Sequence, residues 1–198
     1  MKLGLALILA GATAVAGASQ SFAASTTYTT FYAAGHAAQI CASAAASAQT
    51  KGQASDSEMS ACTTAIRMAG DSDARLAAAY TNRAILHLVR AEYQDSVTDS
   101  DSALQIDNQL TEALVNRGVA MLMQHRPGDA ESDFTRALSL TGSDQAMIYF
   151  NRAMAREDSG NLRGAYADYS QAAKLEPKWD RPRQELSRFT VVPRTPIS

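Results

Sequence analysis

The sequence has 198 residues, of which 18 are lysine or arginine and 20 are aspartate or glutamate, giving a formal net charge of −2. This balance excludes the strongly basic surface that proteins use to bind nucleic acid or anionic lipid. Alanine is abundant, aromatic residues make up 7% and prolines number five, so the composition favours closely packed α-helices over sheets. The length allows one domain with a substantial core or a short array of repeats.

The first 23 residues have the pattern of a secretory signal peptide. Lys2 precedes the apolar segment Leu3–Ala18, and Ser21-Phe22-Ala23 places small side chains three residues and one residue before a cut after Ala23. A retained membrane anchor is the alternative, but a spanning helix needs about 20 apolar residues and this segment is shorter. We therefore expect a cleavable signal over residues 1–23, and a mature protein that is periplasmic or secreted and not attached to a membrane.

A polar leader over residues 24–29 is expected before the first predicted helix pair, residues 30–70. The first helix of this pair is predicted over residues 30–50, and residues 55–57 offer N-caps for the second. The second helix closes on a small-apolar pattern at residues 65–68, which resembles the close of later blocks. Residues 30–70 are therefore interpreted as a degenerate first repeat.

The two cysteines, Cys41 and Cys62, both lie in this first predicted pair. In an exported protein an even number of cysteines favours a disulfide. A metal site or a redox pair is the alternative, but a CxxC motif and nearby histidine ligands are missing from the sequence. We predict a structural disulfide that joins the two helices and stabilises the fold by about 3 kcal/mol.

Three later blocks repeat one pattern, which is the strongest signal in the chain. Each block contains an Asn-Arg-small triplet, and an aspartate follows sixteen residues after the arginine. The triplets, 34 and then 35 residues apart, are Asn82-Arg83-Ala84, Asn116-Arg117-Gly118 and Asn151-Arg152-Ala153, and the aspartates are Asp99, Asp133 and Asp168. The predicted helix pairs span residues 74–107, 109–141 and 144–177, with turns at residues 91–93, 126–129 and 159–161.

These blocks resemble tetratricopeptide repeats over about Ala77 to Trp179. The resemblance rests on the period, the small residue after Asn-Arg, and a set of matching positions: Ala130, Ala165, Phe134, Tyr169 and Pro177. Ser96, Ser100 and Pro127 depart from the family pattern, and an arginine takes the place of the family leucine in all three blocks. The resemblance implies an all-α solenoid of about four antiparallel helix pairs, followed by a capping helix at residues 178–189 and a tail at residues 190–198.

The constant separation of arginine and aspartate predicts contacts between the two helices of each repeat. These contacts are either part of a ligand site or structural ion pairs. A packing rule recurs unchanged along an array, whereas a binding surface differs between repeats, so we predict structural ion pairs that set helix register. The pairs are Arg83–Asp99, Arg117–Asp133 and Arg152–Asp168.

The resemblance also implies a concave groove built by the first helix of each repeat. Family groove positions fall one residue before the triplet, at its asparagine, and three, six and seven residues after that asparagine. The predicted partner-binding residues are Thr81, Asn82, Ile85, Val89, Val115, Asn116, Val119, Leu122, Met123, Phe150, Asn151 and Met154. An apolar, Asn-lined groove suits an extended or helical peptide. The alternatives are that several of these residues are core, or that the chain's own end fills the groove.

None of these groove positions carries a lysine or arginine, so the family's clamp for a C-terminal carboxylate is not implied. The three histidines, His36, His87 and His125, lie on different segments without an HExxH motif, and Gly-rich phosphate loops and GxSxG elbows are missing. We therefore predict no enzyme activity, no metal and no cofactor.

The sequence predicts a non-catalytic protein–protein interaction scaffold or adaptor of the bacterial periplasm, which binds a protein or peptide partner. A self-associating structural subunit of an envelope complex and a binder of small molecules or envelope polymers are the alternatives. Nucleic acid is not an expected partner, and homo-oligomerisation stays open.

Overall fold

The computed structural model describes residues 26–140 and 145–190, with side chains from residue 34. Regular secondary structure in these ranges is entirely α-helical, which confirms the predicted fold class. The helices are α1 (Thr26–Lys51), α2 (Asp56–Met68), α3 (Asp73–Val89), α4 (Tyr93–Ile106), α5 (Thr111–Met123), α6 (Pro127–Leu140), α7 (Gln145–Asp158), α8 (Leu162–Leu175) and α9 (Asp180–Leu186). In the same ranges, none of the helices combines the length and apolarity needed to cross a bilayer.

Side chains at the helix N-termini explain where several helices begin. Ser55 and Glu58 form a capping box at α2, in which Ser55 Oγ accepts from the Glu58 amide at 3.3 Å and the Ser55 amide donates to Glu58 Oε2 at 2.7 Å. The hydrogen bond from the Ser55 amide lowers the pKa of the Glu58 carboxyl. Asn161 Oδ1 accepts from the Gly164 amide at 3.0 Å and caps α8 in the same manner.

Two predicted boundaries differ from the structure. The leader expected at residues 24–29 is not separate from the first helix, because α1 begins at Thr26 and this stretch contains no glycine or proline to stop it. The turn expected at residues 126–129 lies earlier, since His125 carries the positive φ of 59° and Pro127 begins α6. Proline fits the first turn of a helix, where its missing N–H leaves no hydrogen bond unmade.

Several sequence predictions fall outside the described residues. These are the signal peptide with its cut after Ala23, the tail from residue 191 onward, and the junction of the third and fourth pairs at residues 141–144. The helix that follows Pro177 is shorter than the predicted capping segment, since α9 covers only Asp180–Leu186.

Each first helix packs against its second helix, and consecutive pairs pack against one another. The pairs are α1/α2, α3/α4, α5/α6 and α7/α8, and α9 packs on α8. Successive first helices also pack together, α1 on α3 and α3 on α5, whereas the second helices show no comparable packing among the described residues. The first helices therefore lie on the inner side of a curved array, which is the arrangement of an α-solenoid.

The first pair packs closely because its helices present small side chains. Cys41 and Cys62 are fully buried and form a disulfide between α1 and α2, with their Cα atoms 4.5 Å apart. Ala37 and Ala48 of α1 join the same core cluster as Leu86 of α3. Since interaxial distance depends on the side chains at the contact, alanine and cysteine let α1 approach α3 closely. The predicted disulfide is confirmed.

Candidate functional site

Each of the three Arg–Asp pairs joins a first helix to its second helix through two parallel hydrogen bonds. The arginine Nε and Nη2 donate to the two carboxylate oxygens over 2.7 to 2.9 Å, in the pairs Arg83–Asp99, Arg117–Asp133 and Arg152–Asp168. The three aspartates are only 3 to 6% exposed. The hydrogen bonds that these arginines donate to the aspartate carboxylates raise the pKa of all three guanidinium groups above its ordinary value. This geometry is that of a register-setting pair between helices.

The remaining guanidinium nitrogen of each arginine reaches back to the preceding repeat. There, Nη1 donates to an oxygen on the second helix of the previous pair. The contacts are Arg83 to Thr63 at 3.1 Å, Arg117 to Asp101 at 2.6 Å and Arg152 to Thr135 at 3.2 Å. Each arginine thus holds three helices together. The leucine of the family pattern has no hydrogen-bond donors and does not make these contacts. Because Nε, Nη1 and Nη2 of each arginine all donate hydrogen bonds within the array, these pairs fit an architectural role.

The asparagines of the triplets are buried, with exposures of 4% for Asn82, 0% for Asn116 and 7% for Asn151. Asn116 Nδ2 donates to the backbone carbonyl oxygen of Thr81 at 3.4 Å and so links α5 to α3. The sequence suggested that these amides bind a ligand backbone. In this conformation a partner does not reach them, because all three side chains are buried.

Six further predicted groove residues are also buried. They are Thr81, Ile85, Val115, Val119, Leu122 and Phe150. Three predicted contacts remain partly exposed on the inner side: Val89, Met123 and Met154. We call these three residues the inner apolar strip. Val89 and Met123 occupy the same repeat position on α3 and α5, and Met154 lies on α7.

The chain's own C-terminal segment covers the groove at Phe150. The Trp179 ring lies 4.9 Å from the Phe150 ring centroid, and the Arg181 guanidinium carbon lies 5.3 Å from that centroid. Tyr169 packs on another side of the same ring at 5.3 Å. In the fourth repeat, therefore, Met154 is partly exposed and Phe150 is not.

Sequence reasoning missed a side-chain cluster at the turn between α3 and α4. His87 Nδ1 lies 2.7 Å from Glu92 Oε2, and one ligand atom from each of His87, Glu92 and Asp95 falls within 4.8 Å of the others. Ala91 at the turn adopts a φ of 60°, which reverses the chain abruptly. The sequence feature that indicates this cluster is the His-x4-Glu-x2-Asp spacing across the turn predicted at residues 91–93.

A groove of about 460 Å³ lies between α1 and α2 at the N-terminal end of the described array. Its lining is His36, Ala37, Ile40, Ser57, Ser60, Ala61, Thr64 and Met68. Ile40 is 45% exposed there, although it is a large apolar side chain. This is a surface on which no further repeat packs among the described residues.

No protein-family model matches the chain. Among solved structures, it is similar to the first TPR domain of the human RPAP3 protein, with a TM-score of 0.54 and 23% identity over 57% of this chain and 87% of that one. It is also similar to the first TPR of Spaghetti (RPAP3) bound to the HSP90 peptide SRMEEVD, with a TM-score of 0.54 and 23% identity over 57% of this chain and 88% of that one. A third similar structure is the MamA RS-1 ArsTM double mutant, with a TM-score of 0.62 and 16% identity over 76% of this chain and 81% of that one. These likenesses show the fold, which is that of tetratricopeptide repeat domains.

Proposed function

We propose that this protein is a non-catalytic scaffold that binds a partner polypeptide on the inner apolar strip, Val89, Met123 and Met154. The carrying observation is that these partly exposed apolar side chains lie on three successive first helices, which form the inner side of the array. An amphipathic helix or an extended segment buries apolar side chains against such a row. Methionine suits the role because its flexible thioether adapts to different partners.

The partner on this surface is apolar and not an acidic C-terminus. The Spaghetti domain has been solved with the HSP90 peptide SRMEEVD. In this chain the matching groove positions carry no lysine or arginine, and two of them in the fourth repeat are Glu157 and Asp158. Glu157 is already paired with Arg188, whereas a carboxylate placed beside Asp158 meets like charge, which is unfavourable.

Peptide binding to the purified full chain tests the proposal. We expect immobilised amphipathic helical peptides with an apolar face to bind the wild type, and the SRMEEVD peptide not to bind. The double variant Val89→Glu/Met123→Glu should weaken binding of the apolar peptides by at least about tenfold, because it places charge in the buried contact. Leu122 is a poor choice for this test, since it is itself buried.

The matched control is Ser132→Glu, which adds a carboxylate at an exposed position of the second helix α6. This variant should bind as the wild type does, and circular dichroism should show the same helicity in all three proteins. Unchanged binding by the double variant, or equally strong binding of SRMEEVD, contradicts the proposal.

Export to the periplasm is part of the same proposal. The N-terminal signal pattern supports it, and so does the buried Cys41–Cys62 disulfide, because disulfides persist in oxidising compartments. Mass spectrometry of the protein from fractionated cells provides the test. We expect a periplasmic species that begins at Ala24, and a cytosolic species that retains residues 1–23 contradicts this part.

Self-association is a second candidate function, favoured by Ile40 in the α1/α2 groove. The residues that line this groove include no aspartate, glutamate, lysine or arginine, so two copies meet there without apposed like charges. Light scattering should then show a dimer in the wild type and a monomer in Ile40→Asp. A wild type that stays monomeric at high concentration removes this candidate and leaves the peptide-binding proposal intact.

A further inference from the structure

The turn between α3 and α4 brings an imidazole and two carboxylates to one place. His87 lies in the last turn of α3, Glu92 is the N-cap residue of α4, and Asp95 lies in the first turn of α4. One ligand atom from each lies within 4.8 Å of the other two. His87 is partly buried and Asp95 is exposed, so the cluster opens to solvent on the Asp95 side.

The two inner members of this cluster are held in place by further charged groups. Glu92 Oε2 faces His87 Nδ1 at 2.7 Å, while Arg90 Nε binds the other oxygen, Oε1, at 2.9 Å. On the opposite side of the imidazole, Nε2 lies 3.5 Å from Asp99 Oδ2, and Asp99 is itself held by Arg83. Histidines that bind metal ions are commonly oriented in this way, with a carboxylate at the second ring nitrogen.

The connected network carries excess negative charge. It contains two guanidinium groups and four carboxylates: Arg83 and Arg90, and Asp56, Glu92, Asp95 and Asp99. The Asp99 charge is matched by Arg83, and Arg90 is shared between Asp56 and Glu92. The excess therefore lies around Glu92 and Asp95, and this negative charge favours a divalent cation there.

This cluster is confined to one repeat, unlike the Arg–Asp pairs. The full set of three is absent from the later repeats, where only the aspartate recurs, and only once. The matching residues are Met121, Arg126 and Asp129 in the third repeat, and Arg156, Asn161 and Gly164 in the fourth. A packing rule recurs in every repeat, so a constellation found in only one points to a task of that repeat alone.

We propose that His87, Glu92 and Asp95 bind a divalent transition-metal ion at the α3–α4 turn. The ligand set of one imidazole nitrogen and two carboxylate oxygens, with an open side for water, suits Zn²⁺ and similar ions and not Mg²⁺ or Ca²⁺, which prefer oxygen ligands alone. Ligands bound at about 2.0–2.2 Å stand roughly 3.4 Å apart in tetrahedral geometry. His87 Nδ1 and Glu92 Oε2 now lie 2.7 Å apart. To admit the ion in place of the proton between them, the two side chains move apart by less than about 1 Å.

Calorimetric titration of the chelator-treated full chain with Zn²⁺ tests the site. We expect saturable binding of one ion per chain, unchanged by excess Mg²⁺. His87→Gln and Glu92→Gln should each lower the affinity by at least about tenfold. His125→Asn is the matched control, because it removes a histidine from the next inter-helix turn, and asparagine tolerates the positive φ there. This variant should bind Zn²⁺ as the wild type does.

Co²⁺ titration of the wild type gives a second measurement that needs no variant to fold. Intense visible absorption bands, typical of four- or five-coordinate Co²⁺, are expected, and added Zn²⁺ should abolish them. Failure to see saturable Zn²⁺ binding overturns the proposal. Wild-type affinity in both His87→Gln and Glu92→Gln, or loss of affinity in His125→Asn alone, overturns it as well.

Discussion

Arg117 holds both carboxylate oxygens of Asp133, with Nε 2.8 Å from Oδ2 and Nη2 2.7 Å from Oδ1. Its third nitrogen, Nη1, lies 2.6 Å from Asp101 Oδ1 on the preceding repeat. One side chain therefore fixes α5 against α6 and against α4. Because the same contacts recur in each repeat, this arginine sets the angle between helices within a pair and the step from one pair to the next.

Asp133→Asn should destabilise the fold by roughly 2–4 kcal/mol, because the partly buried Arg117 loses its bidentate carboxylate and keeps only its ion pair with Asp101. Arg117→Leu, which restores the side chain of the family pattern, should also destabilise, since Asp133 then lacks its donors. Urea unfolding of both single variants and the double variant measures their coupling. A coupling free energy near zero means that the two residues do not act as a pair.

An exposed ion pair in the same region provides the comparison. Arg126 and Asp129 pair at 2.7 Å on the surface, with side chains about half exposed. Asp129→Asn should change the free energy of unfolding by less than about 1 kcal/mol, since solvent screens such pairs.

The Cys41–Cys62 disulfide should stabilise the first helix pair selectively. Replacement of both cysteines by alanine should lower the free energy of unfolding by about 3 kcal/mol, because a loop with a sequence separation of 21 is released in the unfolded chain. Hydrogen exchange should rise in α1 and α2 and stay nearly unchanged in α7 and α8. Reductant should affect the wild type and leave the double variant unaffected, and a uniform rise along the whole chain contradicts local stabilisation.

Gly118 lies where a side chain has no room. A Cβ at this position meets Phe134 Cε1 at 2.8 Å, and Phe134 is fully buried. Gly118→Ala should therefore destabilise by about 1–3 kcal/mol in thermal or urea unfolding. Gly128→Ala is the control, because that position has open space around it. Addition of Phe134→Leu should recover part of the loss in Gly118→Ala, and a stable Gly118→Ala variant shows that the ring moves aside.

The sequence was sufficient for the repeat architecture because its signals are local and recur. The Asn-Arg-small triplets and the aspartates sixteen residues later indicate that an arginine such as Arg83 can meet Asp99 when the two helices of a repeat pack antiparallel. The reach of Arg83 to Thr63 was not predictable in this way. That contact depends on how far one pair is displaced from the next, and the displacement follows from packing across the whole array.

The groove residues were harder to predict because their exposure depends on distances between first helices. The family pattern places Asn116 on an open inner face, yet its exposure here is 0%. Neighbouring helices that present small side chains close the space above such positions. The neighbourhood of His87 was missed for another reason: its contact with Glu92 requires the left-handed conformation of Ala91, which propensity does not assign to alanine.

Tyr169 should make the fold sensitive to alkaline pH. Its side chain is 1% exposed, and this burial raises the pKa of the phenol above its ordinary value of about 10. The unfolded chain then loses the phenolic proton at a lower pH than the folded chain does. Stability contributed by the neutral phenol is thus complete below about pH 10 and falls as pH rises further.

Tyr169→Phe should separate this effect from simple packing. Near neutral pH the variant should be less stable by about 1 kcal/mol, since it loses the hydrogen bond from Tyr169 Oη to Glu157 Oε2 at 3.0 Å. As pH rises above about 10, the variant should lose less stability than the wild type, so the difference between them should narrow. Tyr166→Phe, at a more exposed position of the same helix, is the control. In urea unfolding at each pH, its free energy of unfolding should change with pH as that of the wild type does. A difference between wild type and Tyr169→Phe that stays constant from neutral to alkaline pH contradicts a raised pKa, because the phenol then ionises equally in the folded and unfolded chains.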